Sequence, residues 1–124
     1  MGKNSKSQRD THYEVLAQYQ RLASEALTAL RPRLAELDPP IVDSLPIADF
    51  SGRPESMYVW YAFRNQDDQR RAEASGLGSQ LRRLTEDEFR RVGYPPSALP
   101  SIRLFFANRV DIDAAGGNFA SYVR

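Results

Sequence analysis

The sequence predicts an α+β domain: an N-terminal amphipathic helix packed on a small, mainly antiparallel sheet of three or four strands, with two short helices between strands. Three observations carry this expectation. Between Asp10 and Leu37, residues Val15, Tyr19, Leu22, Ala26, Leu30, Leu34 and Leu37 recur at spacings of three and four, which is the period of one helical face. Two segments, MYVWYAF (57–63) and SIRLFFA (101–107), are dense in aromatic and β-branched residues, as a pleated and half-buried surface requires. The stretch between them is charged and punctuated like short helices.

The elements follow in order. Residues 1–9 are polar and carry Lys3, Lys6 and Arg9. They read as a disordered basic tail, with no apolar stretch of the kind a secretory signal needs, and the domain then spans 10–124. Pro32 is expected to kink the long helix or to start a second one, because it lacks an N–H and crowds the preceding turn. The LDPP at 37–40 ends it. Residues 41–56 hold Pro46, Gly52 and Pro54 and read mostly as loop, with DSLPIADF able to supply a short edge strand where a proline is tolerated.

After the 57–63 strand, Asp67 is the expected N-cap and Gly76 the expected exit of a short helix. LGSQLRRL is ambiguous between loop and a turn of helix. TEDEFRRVGYPP reads as a separate helix: Thr85 and Glu88 as a capping box, acids first, Arg90 and Arg91 last, and Gly93 as the left-handed exit. The 101–107 strand comes next. Gly116 and Gly117 then read as a hairpin turn that returns NFASYVR alongside 101–112 as the last strand, which ties down an apolar terminal stretch.

Composition excludes several kinds of function. The chain has 124 residues and 41% hydrophobic content, enough for one domain with a core of its own. It has no cysteine, so disulfides, thiolate nucleophiles and Cys-based metal sites are ruled out. That composition suits a reducing cytoplasm. No apolar run approaches the roughly 20 residues of a membrane span. Net charge is +1, and between Gln66 and Gly93 six arginines meet six acids, so the basic field that nucleic-acid binders use is missing.

No set of residues has the spacing of an active site or of a cofactor cradle. His12 is the one histidine, too few for a histidine metal centre. SGLGSQLRRL lacks the lysine and the preceding strand of a phosphate loop. Neither metal nor cofactor is expected. Asp111 and Asp113, taken as strand residues, would share a face and offer a paired-carboxylate site for a small enzyme. The arginine doublets at 70–71, 82–83 and 90–91 would support at most a weak nucleic-acid surface.

The strands themselves carry the stronger signal. Alternation sets Val59, Tyr61 and Phe63 against Tyr58, Trp60 and Ala62, and Ile102, Leu104 and Phe106 against Arg103, Phe105 and Ala107. Both strands are apolar on two faces. Either the long helix covers one face and the 66–92 helices the other, or one face stays open and presents Tyr58, Trp60, Arg103, Phe105 and Tyr122 to a protein partner. The second arrangement is expected of a non-catalytic protein-binding module. One form of it is a small bacterial toxin-neutralising inhibitor of the immunity type, cytoplasmic, which blocks a cognate toxin by steric occlusion. An unpaired sheet edge would also allow a homodimer.

Overall fold

The computed structural model describes residues 8–123, with side chains from Glu14 onward. Residues 1–7 of the expected tail and the side chain of His12 lie outside the described residues.

Helix α1 (Gln8–Ala35) starts within the expected tail and runs through Pro32 as one element. Pro32 sits in the last turn, where it forfeits a single helical hydrogen bond. Strand β1 (Ile41–Ala48) follows, where mostly loop was expected. β2 (Met57–Phe63) leads into α2 (Gln66–Ala74) and α3 (Leu77–Arg91). A 3₁₀ turn at Pro96–Ser101 delivers the chain to β3 (Arg103–Asn108). Two short helices end the described chain, α4 (Arg109–Ala114) and α5 (Phe119–Tyr122).

The sheet has the order β1-β2-β3. β1 and β2 are antiparallel, with Leu45 opposite Trp60, while β2 and β3 are parallel, with Trp60 opposite Phe105. A parallel pair needs a long crossover, and α2 with α3 supplies it. The expected hairpin is replaced. Gly116 and Gly117 adopt positive φ to end α4, with Gly117 N–H donating to Ile112 O at 2.8 Å. The aromatic end of the chain is therefore tied in as a helical turn, with Phe119 buried, and the sheet has three strands instead of a fourth at the C-terminus.

Two helix boundaries also differ from expectation. Asn65, not Asp67, caps α2, its side chain accepting from Asp68 N–H at 2.9 Å. Thr85 is not a cap. Leu77, Leu81, Thr85 and Phe89 form one buried stripe at a spacing of four, so LGSQLRRL and TEDEFRR make a single helix starting just after Gly76. Within it, the Thr85 hydroxyl donates to Leu81 O and meets Tyr61 Oη, both at 2.6 Å. Gly93 is the left-handed exit that the sequence predicts, at φ +93°.

The main core lies on one face of the sheet. Ala23, Ala26, Leu27, Leu30 and Leu34 of α1 and the α3 stripe pack against Met57, Val59, Tyr61 and Phe63. A bulge lets β1 contribute. The register runs Ile41 to Phe63 but Asp43 to Ala62, so the extra residue reverses the alternation and turns Ile41 into the main core. α1 and α3 thus share a face. Among the described residues the other face carries a smaller cluster, Ala62, Ala107, Ile112 and Phe119, with part-buried Leu45, Trp60 and Val123 packed against it.

Both sheet edges are occupied by side chains. Gln20 of α1 behaves like a strand residue on the β1 edge, donating to Pro46 O at 2.7 Å and accepting from Ala48 N–H at 2.9 Å. On the β3 edge Arg82 donates to Ile102 O at 2.6 Å and Gln69 to Phe106 O at 3.4 Å. A strand adding to either edge would have to displace them, which is how edges are kept from pairing.

Candidate protein-interaction site

The second sheet face is closed at one end and open at the other. Ala62 and Ala107 are small enough for α4 and α5 to approach, and Ile112 and Phe119 fill that end. Asn108 fixes the chain's turn off β3. Its Oδ1 accepts from Asp111 N–H, and its Nδ2 donates to Gln69 Oε1 at 2.8 Å and to Asp111 Oδ2 at 2.9 Å. At the remaining end Tyr58 and Trp60 are part-buried and Phe105 is exposed.

There the parallel register sets Tyr58 beside Arg103 and Trp60 beside Phe105. The Trp60 and Phe105 rings stack at 4.9 Å and 25°. Tyr58 meets Phe105 edge-on at 6.0 Å, and the Arg103 guanidinium lies over the Tyr58 ring, also at 6.0 Å. Four of the five residues expected at a binding face are thus one cluster. They line a groove of about 550 Å³ together with Ile47, Ala48, Asp49, Phe50 and Val123.

Tyr122 is the exception. It is surface-exposed but does not line the groove, because the C-terminal turn is helical and presents Val123 instead. Phe50 was missed by the sequence reading. It is 85% exposed on the bend after β1, where no periodicity marks it. Ile47 was missed because DSLPIADF reads as able to supply a short edge strand without its residues being assigned to faces, although the alternation of Leu45 and Ile47 is the usual signal.

The electrostatics of the rim are uneven. Asp49 is held below the ordinary carboxylate range, chiefly by the Ser51 hydroxyl, which donates at 2.6 Å alongside Ser51 N–H at 2.9 Å. Its charge is committed to its own loop. Arg103 makes no ion pair or side-chain hydrogen bond among the described residues; its one contact of this kind is the Tyr58 ring.

The other candidate chemistries look different in three dimensions. Asp111 and Asp113 lie in α4, not a strand, so two residues apart they point to different sides. Asp111 accepts from Gln66 at 3.0 Å and from Asn108, and Asp113 pairs with Arg109 at 2.6 Å. The arginine doublets are largely engaged. Arg70 pairs with Asp67, Arg71 with Asp68 and Asp38, Arg82 with Glu86, Arg90 with Asp87 and Arg91 with Glu88. Among the described residues no group of three or more His, Cys, Asp or Glu is placed to hold a metal ion, and no helix is long and apolar enough to cross a membrane.

Fold and surface together define an α+β chain with one closed sheet face and one half-open aromatic face. The chain matches no family model, no curated protein and no solved structure.

Proposed function

We propose that this chain is a non-catalytic protein-binding module that covers part of a partner's surface with the open end of its second sheet face. One observation carries the reading: a stacked Trp60–Phe105 pair stands in an open groove with Phe50 at its rim. Aromatic side chains left accessible together are costly in water and are the residues most enriched at binding hot spots. Side chains bond part of each sheet edge, which favours contact through the face over strand addition. In the cell such a module acts by occlusion, and neutralisation of a cognate toxin in the manner of an immunity protein, in the cytoplasm, is the form we propose. The accessible aromatic cluster with Arg103 beside it supports that form.

The test is affinity capture from the native lysate at moderate and high salt, with the wild-type chain and the Trp60→Ala/Phe105→Ala variant. The expected result is one stoichiometric protein that survives high salt and is lost with a variant whose circular dichroism is unchanged. Retention by the folded variant would remove the aromatic face from the account.

A further inference from the structure

We propose that Arg103 is the anion anchor of this groove, and that the groove takes an extended protein segment carrying a carboxylate two positions from an apolar or aromatic side chain. This rests on the protein-binding reading above and names the chemistry of the partner. Arg64, Arg70, Arg71, Arg82, Arg90, Arg91 and Arg109 each have a carboxylate within the chain. Arg103 has none among the described residues, which is also true of Arg21, Arg31, Arg33, Arg53 and Arg83, but of these six Arg103 is the one that lines the groove, exposed and lying over the Tyr58 ring.

The placement suits a carboxylate. A guanidinium lying over an aromatic ring keeps its N–H donors free along its edge, and that planar fork matches a carboxylate's two oxygens. Asp49 and Glu55 line a cleft with Arg103 and Arg53 without forming an ion pair with Arg103, and Asp49 is held by Ser51. The positive charge is therefore available to a partner.

Spacing sets the rest of the pattern. Arg103 and Phe105 are alternate residues of β3 and so point to the same side about 6.6 Å apart. An extended partner segment repeats its own side chains at the same interval. An acid over Arg103 then brings the side chain two positions away onto the Trp60–Phe105 stack. Ion pairing fixes the register, and the apolar contact supplies most of the affinity.

The experiment is selection of a displayed random-peptide library on the full chain, in parallel with its Arg103→Gln and Trp60→Ala variants, each checked for folding by circular dichroism. The wild type is expected to enrich peptides with Asp or Glu two positions from an aromatic or aliphatic residue. Arg103→Gln is expected to keep the apolar preference and lose the acidic one, with about five-fold weaker binding of a synthesised selected peptide. Apolar enrichment without an acid, or an acidic preference that survives Arg103→Gln, would overturn the anchor and leave the binding face standing. No enrichment on the wild type, or the same enrichment on Trp60→Ala, would overturn both. Sedimentation closes the remaining route: a wild-type dimer that Phe50→Ser dissociates would give the groove to a second copy and overturn the assignment to an acidic segment.

Discussion

On β2, Met57, Val59, Tyr61 and Phe63 are sealed from solvent, whereas Tyr58 and Trp60, their neighbours in the same strand, remain partly exposed. The residue types on the two sides are much alike. What differs is the cover among the described residues: α1 and α3 close one face with two amphipathic stripes, and α4 and α5 lie over the Ala62–Ala107 end of the other. Stability is therefore concentrated on the first face. The second is free to keep a stacked aromatic pair in a groove, a placement that folding alone does not call for.

This contrast can be broken from the closed side first. Phe89, fully buried between α3 and the sheet and 5.0 Å from the Tyr94 ring, is expected to cost about 3–5 kcal/mol on replacement by alanine, through lost burial and the cavity left behind. Denaturant unfolding measures it.

Asn108→Ala comes next. It removes the α4 cap and strands Gln69 Oε1, and the expected loss is about 1–2 kcal/mol. The loss should be accompanied by faster amide exchange in 109–123, because that side chain holds the end of the chain against the sheet.

Tyr61→Phe sharpens the same comparison through pH. Burial pushes the Tyr61 hydroxyl up from its ordinary 10.0 to about 12, with the Thr85 hydrogen bond acting the other way. The folded chain then keeps a proton that the unfolded chain releases above about pH 10. Stability should be level below about pH 10 and fall between about pH 10 and pH 12. Tyr94, also raised by burial, acts in the same direction. Tyr61→Phe should cost about 1 kcal/mol at neutral pH and make the alkaline fall shallower. An unchanged alkaline profile would show that Tyr61 is already accessible.

The smallest effects belong to the open side. Arg103→Gln and Phe50→Ser should each change stability by no more than about 0.5 kcal/mol while weakening partner capture. Thermal unfolding beside capture separates the two outcomes.

The long helix was legible from its period near 3.6 and both aromatic strands from their density of aromatic and β-branched residues, which are properties of the residues alone. The two-faced character of the strands was legible for the same reason. Other features depend on tertiary contacts. Thr85 and Glu88 look like a capping box, but a buried Leu77–Leu81–Thr85–Phe89 stripe and the Tyr61 hydroxyl outweigh that local preference. Asn118-Phe119 looks like the start of a strand after two glycines. Asn118 instead caps a turn of helix by accepting from Ser121 N–H at 3.0 Å, and Phe119 finds its burial over Ala62 and Ala107. In the candidate site, alternation grouped Tyr58 with Trp60 and Arg103 with Phe105, and the parallel register joined the two pairs. Phe50 lies on a bend, where sequence has no period to report.

The most direct measurement compares two phenylalanines on opposite faces. Phe63 is fully buried beneath α1 and α3, and Phe105 is 37% exposed in the groove. Urea unfolding of Phe63→Ala and Phe105→Ala should show losses of about 3–5 kcal/mol and about 1 kcal/mol respectively. Equal, large losses would place Phe105 in a closed core and contradict the open face on which the binding proposal stands.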